Sequence, residues 1–143
     1  MTYASAGHPP ALLRDDDTRA VTRLHLAQAP PLGFASPDAV VEAKVALPRR
    51  ATLLAYTDGV IERRNQVIDE GIDRLEQAFR SADPGLSADE LANMLIREVA
   101  VVTAADDDIA LLVLRLPALS ATAQPERASS GDVDVSPSPP QRR

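Results

Sequence analysis

The chain has 143 residues, a formal net charge of −6, no cysteine and only 3% aromatic residues. That length sets an expectation of one domain. The absence of cysteine excludes disulfide scaffolds, cysteine-based zinc sites and thiol nucleophiles. An acidic chain poor in aromatics is a poor nucleic-acid binder, because its field repels phosphates.

The core must come from Leu, Val, Ile and Ala. The longest apolar run, near Ile109–Leu114, is too short to span a bilayer, so no membrane association is expected. The first residues, Met1-Thr2-Tyr3-Ala4-Ser5, show neither a basic segment nor an apolar one. No signal peptide is expected, and the expected compartment is the cytoplasm.

In chain order, Thr2–Ser5 and Ala11–Arg14 read as short strands joined by the stiff turn Ala6-Gly7-His8-Pro9-Pro10. Asp15-Asp16-Asp17-Thr18 reads as a polar hairpin tip. Val21–Leu26 alternates apolar and polar residues, as a half-buried strand does. A second stiff turn follows at Ala29-Pro30-Pro31-Leu32-Gly33, and Val40–Leu47 alternates again. Thr52–Thr57 is a nearly continuous apolar run, the pattern of a strand buried on both faces.

The period then changes. Val60–Arg64 after Asp58-Gly59 reads as a short helical turn, with Arg63 and Arg64 as solvated charges. Ile72, Leu75, Ala78 and Phe79 predict a helix over Gly71–Arg80. Ser87-x-x-Glu90 is a capping box opening a second helix, whose apolar face is Leu91, Met94, Leu95 and Val99. After Asp106-Asp107-Asp108, Ile109–Leu116 reads as the last strand. Strands, then two helices, then a strand predict an α+β layered domain with a mainly antiparallel sheet.

Residues 119–143 are rich in Ser, Pro, Ala, Asp and Arg and predict a disordered tail, leaving 1–118 as the folded portion.

Two acidic positions stand out. Asp58 ends a buried apolar strand, and Asp106-Asp107-Asp108 precedes another. Carboxylates aimed from neighbouring strands can share a hard divalent cation, Mg²⁺ or Mn²⁺, whose bound water is a nucleophile for hydrolysis. The plainer readings are an Asp-Gly turn and a solvated acidic loop. His8, on a Pro-rich turn, reads as structural, and no Ser/His/Asp triad is supportable with two histidines outside any nucleophile elbow.

Four segments, in order, resemble one family. Tyr3-Ala4-Ser5-Ala6-Gly7-His8-Pro9-Pro10-Ala11-Leu12-Leu13 resembles the Y-x-x-A-G-H-P-P-x-L-L segment of the SpoIIE-like (RsbU-like) serine/threonine protein phosphatases of the PPM metal-dependent superfamily. Pro31-Leu32-Gly33 resembles their P-L-G turn. Leu53–Glu62 is similar to their L-x-x-Y-T/S-D-G-x-x-E block, and Asp107–Val113 to their closing D-D-x-T/A-L-L-V strand.

The resemblance implies an α-β-β-α sandwich of mainly antiparallel sheets flanked by helices. It implies hydrolysis of phosphoserine or phosphothreonine on a regulatory protein, commonly of anti-anti-sigma-factor type. It also implies a binuclear Mn²⁺ or Mg²⁺ centre. Carried over by position, Asp58 and Asp107 match metal ligands, with Asp106 as the register alternative. Gly59 supplies the tight turn and His8 lies near the site.

The family's G-D-x-x-D and G-D-V-x-G-H-G blocks do not occur here; Gly-Asp is found only at Gly131-Asp132. The chain therefore reads as the C-terminal half of a catalytic domain, beginning within a strand. The N-terminal half or a sensor domain would be supplied elsewhere, and the ligand set here is incomplete. The alternatives are a non-catalytic truncated remnant, a protein-interaction module, or an unrelated acidic α+β domain.

Overall fold

The computed structural model describes residues 1–34, 40–63, 66–99, 108–116 and 118. In chain order its elements are β1 Thr2–Tyr3, β2 Ser5–Ala6, β3 Ala11–Asp15, β4 Val21–Leu24, β5 Gln28–Ala29, β6 Ala43–Lys44, β7 Ala51–Tyr56, α1 Ile68–Ser81, α2 Ala88–Val99 and β8 Leu111–Leu116. A 3-10 turn, Asp58–Val60, follows β7.

The apolar run around residue 54 becomes the centre of a four-stranded sheet in the order β4-β3-β7-β8. All three pairings are antiparallel. Leu54 stands between Leu12 on one side and Val113 on the other. Side chains of a strand alternate between faces. Leu12, Leu54 and Tyr56 therefore face the helices, where they pack with Ile72, Leu75 and Phe79 of α1 and Leu91, Leu95 and Val99 of α2. Each fully buried side chain of this size contributes about 1.5–3 kcal/mol of transfer free energy.

The helices form where the apolar period predicts them. The first begins earlier than its apolar spacing suggests, at Ile68, with Asp69 and Glu70 in the first turn. Carboxylates there complement the unpaired N–H groups and the helix dipole. Pro84 follows its end and cannot continue it. The capping box opens α2 as expected. Glu90 N donates to Ser87 Oγ at 3.2 Å, and Ser87 N donates to Glu90 Oε2 at 2.8 Å.

Several local expectations change. Thr2–Ser5 is not one strand: β1 pairs antiparallel with β6, and β2 pairs parallel with β5. Of Val40–Leu47 only Ala43–Lys44 forms a strand, paired with the two residues of β1, and Val45 extends it by exchanging hydrogen bonds with Met1. The hairpin tip is not wholly solvated either. Asp16 is buried, and its Oδ1 accepts from Arg14 Nε at 2.9 Å while Oδ2 accepts from Thr52 Oγ1 at 2.8 Å.

The expectation that β7 is buried on both faces holds only in part. On the side away from the helices, Leu13, Leu24 and Ala51 form a second small core under Tyr3, Val45 and Leu47. Farther along that side the cover stops. Leu53 and Ala55 are half-buried, and Leu112 and Leu114 are 63% and 47% exposed. The layered α+β architecture with mainly antiparallel strands is as expected. Among the described residues, no helix is long and apolar enough to cross a membrane. The expected tail, 119–143, lies outside the described residues.

Candidate functional site

The site grows from the end of β7. Thr57 continues the pairing with the start of β8, its N–H donating to Ala110 O at 3.0 Å. Its hydroxyl does more. It donates to Asp108 O at 3.0 Å and accepts from Ala110 N at 2.9 Å. One side chain therefore fastens the end of the acidic run beside the residue that precedes Asp58. The sequence signal for this role of Thr57 is a hydroxyl residue directly before Asp58-Gly59, opposite the last strand.

Asp58 lies at the head of the 3-10 turn with its carboxylate exposed. Its Oδ1 accepts from Gly59 N at 3.0 Å. Its backbone carbonyl accepts from Ile61 N at 2.8 Å and Glu62 N at 2.7 Å. Gly59 itself is buried in the turn. The strand thus delivers Asp58 to the surface at a fixed place, and the turn holds it there.

His8 reaches the same end of the sheet. It is exposed and lines a cavity of about 320 Å³ with Ala55, Tyr56, Thr57, Ala110, Leu111 and Leu112. Its backbone carbonyl accepts from Ser5 Oγ at 3.4 Å. Tyr56, beside it, donates its hydroxyl to Pro10 O at 2.9 Å. Burial pushes the Tyr56 phenol up to about 12.

Asp107 and Asp106 lie outside the described residues. Asp108, which is described, is exposed at the start of the last strand's approach. Among the described residues no three His, Cys, Asp or Glu side chains converge. The donors that are present, exposed carboxylate oxygens, suit a hard cation such as Mg²⁺ or Mn²⁺ in kind, but the described set is too small for two ions.

Arg63 departs from its expected solvated state. Its Nη2 donates to Val99 O at 2.9 Å, satisfying a carbonyl in the last turn of α2. Arg64 lies outside the described residues.

The comparisons with known proteins bear on this arrangement. The sequence model of the family described as Stage II sporulation protein E (SpoIIE) matches residues 1–117. The chain is similar to the crystal structure of the RsbU and RsbW domains of Rv1364c from Mycobacterium tuberculosis, with a TM-score of 0.63 and 29% identity. That match covers 83% of this chain and 34% of the other. The phosphatase domain of the cell fate determinant SpoIIE from Bacillus subtilis shares the fold, with a TM-score of 0.50 and 17% identity over 83% of this chain and 51% of its own. The chain thus spans between a third and about half of the solved chains it matches. No curated protein sequence matches it.

Proposed function

The chain belongs to the SpoIIE family of PPM-type phosphatases, and from that membership we propose that it carries part of the centre that hydrolyses phosphoserine or phosphothreonine on a regulatory protein. The observation that supports this most directly is the Thr57 hydroxyl, which donates to the Asp108 carbonyl and so holds Asp108 next to the strand end that carries Asp58. On this reading Asp58 and Asp107, or Asp106 in the alternative register, hold Mn²⁺ or Mg²⁺. When bound, such an ion supplies an activated water and neutralises charge on the phosphoryl oxygens.

The chain's own residues have simpler tasks. Asp58 presents a carboxylate from a rigid strand end. Thr57 fastens Asp108 and Ala110 to the end of the same strand. Gly59 completes the turn, and His8 lines the approach. The remaining ligands come from a segment carrying the G-D-x-x-D and G-D-V-x-G-H-G blocks, supplied as the N-terminal half of the same catalytic unit. The substrate is a phosphorylated protein of anti-anti-sigma-factor type, and the setting is cytoplasmic signal transduction.

The test is Mn²⁺-dependent release of phosphate from a phosphoserine protein by the chain joined to such a segment. Loss of that activity in Asp58→Asn and in Asp107→Asn supports the assignment. Full activity in the double variant overturns it.

The exposed Leu112 and Leu114 favour a second reading, a non-catalytic module that binds another protein through this sheet face. Phosphate release by the joined chain, abolished by Asp58→Asn, decides against it.

A further inference from the structure

Asp58 is held by more than its own strand. Its carbonyl receives both Ile61 N–H and Glu62 N–H, so the placement of residues 61 and 62 sets the placement of Asp58. Ile61 is almost fully buried, and its carbonyl points at the first turns of α1. At Gly71 the helix backbone comes so close that a Cβ would stand 2.0 Å from Ile61 O and 2.8 Å from its carbonyl carbon. No side chain fits between the two backbones. Alanine there requires the helix or the turn to move.

Three residues along α1, Arg74 reaches the same oxygen. Its Nη2 donates to Ile61 O at 3.4 Å, and its Nη1 donates to Gln66 Oε1 at 2.7 Å. The guanidinium therefore spans the connection between the Asp58 turn and α1. Arg63 ties the same connection to α2 through Val99 O. The helix carrying these contacts is itself fixed to the sheet. Arg23 on β4 is paired with both Asp73 and Glu76 of α1.

We propose that α1 aims Asp58, with Gly71 and Arg74 acting as positioning residues through the Ile61 carbonyl. Gly71 sets how closely the helix can sit on the turn, and Arg74 holds the turn against it. The functional meaning of this link rests on the reading of Asp58 as a metal ligand; the link itself does not.

The test uses the full chain in three variants, Gly71→Ala, Arg74→Gln and Arg74→Lys, with amide hydrogen exchange and Mn²⁺ titration followed by NMR. Arg74→Gln removes two charged-donor hydrogen bonds, so exchange at the Ile61 and Glu62 amides rises about tenfold or more. Gly71→Ala has the same effect at these amides. Arg74→Lys, which keeps one donor and the charge, recovers part of the protection. The ladder between β3 and β7 keeps its protection throughout. In the chain joined to the segment that carries the remaining ligands, Mn²⁺ broadening of the Asp58 and Gly59 signals weakens in parallel.

Unchanged exchange at Ile61 and Glu62, or equal acceleration at every amide, overturns the proposal. If Mn²⁺ leaves the Asp58 signal unaffected in the chain joined to the segment that carries the remaining ligands, while the exchange response remains, the positioning link stands and the metal reading fails. Should Gly71→Ala not fold, the two Arg74 variants carry the test alone.

Discussion

Arg14 and Asp16 meet inside the protein, Nε to Oδ1 at 2.9 Å, with both side chains buried. Arg14 also donates from Nη1 to Phe79 O at 2.5 Å and to Ala82 O at 3.2 Å, and its guanidinium lies 4.6 Å from the Phe79 ring centre. The two carbonyls belong to the end of α1, where backbone acceptors lack helical partners. A charge on β3 thus closes the helix that sits on the Asp58 turn.

Removing one partner of such a pair leaves the other buried and uncompensated. Asp16→Ala is therefore expected to lose about 3–5 kcal/mol of stability. The double change Asp16→Ala with Arg14→Met recovers part of that loss, because the stranded charge is gone. Urea unfolding of both variants checks this; a loss below about 1 kcal/mol for Asp16→Ala means the pair behaves as an exposed one.

At the start of α2, Ser87→Ala removes the side-chain acceptor for Glu90 N and is expected to cost about 1 kcal/mol. The Ser87 N–H and hydroxyl hold the Glu90 carboxyl below the ordinary glutamate range. The sign follows from the lowered value in the folded state. The stabilisation is present above the ordinary glutamate value and fades as pH falls through the lowered one. Glu90→Gln should therefore flatten this part of the acid limb of a stability-against-pH curve.

Tyr56 carries the opposite linkage. Its phenol is held up to about 12 by burial, whereas an unfolded tyrosine ionises near 10. The unfolded chain then releases its proton first, so stability is intact below pH 10 and drops as pH rises from about 10 to about 12. Tyr56→Phe removes that alkaline fall and costs about 1 kcal/mol near neutrality for the lost bond to Pro10 O. Thermal unfolding at pH 8 and pH 11 separates the two effects.

For the proposed chemistry, Asp58→Asn preserves shape while removing charge at an exposed position. The melting temperature should stay within about 2 °C of the parent. Phosphatase activity of the completed enzyme should fall by more than about 100-fold, beyond what is typical when a partner of a metal ligand is lost. A stable variant with unchanged turnover rules out Asp58 as a ligand.

Much of the fold is legible in the order of the apolar periods. The run at 52–57, the helix spacing of Ile72, Leu75 and Phe79, and the Ser87–Glu90 box each encode a local rule that the packing keeps. The N-terminal strands are less legible, because Thr2–Tyr3 and Ser5–Ala6 choose different partners, which a two-residue period does not specify. Asp16 is misread for a related reason. A carboxylate in a polar hairpin looks solvated until Arg14 and Thr52 donate to it from the packed sheet. Asp58 was visible as a strand-end carboxylate. Thr57 and Gly71 were not, since their roles depend on the Asp108 and Ile61 carbonyls that only folding brings near.

The place of β8 has a consequence for how the chain folds. Tyr56 pairs with Leu111 and Ala51 with Leu116, with both helices lying between them in sequence. During synthesis the central strand therefore emerges long before its second neighbour. Until Leu111–Leu116 leaves the ribosome, β7 keeps an open hydrogen-bonding edge and α2 lacks the strand it packs against. Pairings this distant make the final step slow relative to helix formation. The nascent chain waits with Leu54 and Tyr56 only partly sheltered, and the last described strand is the one that ends that exposure.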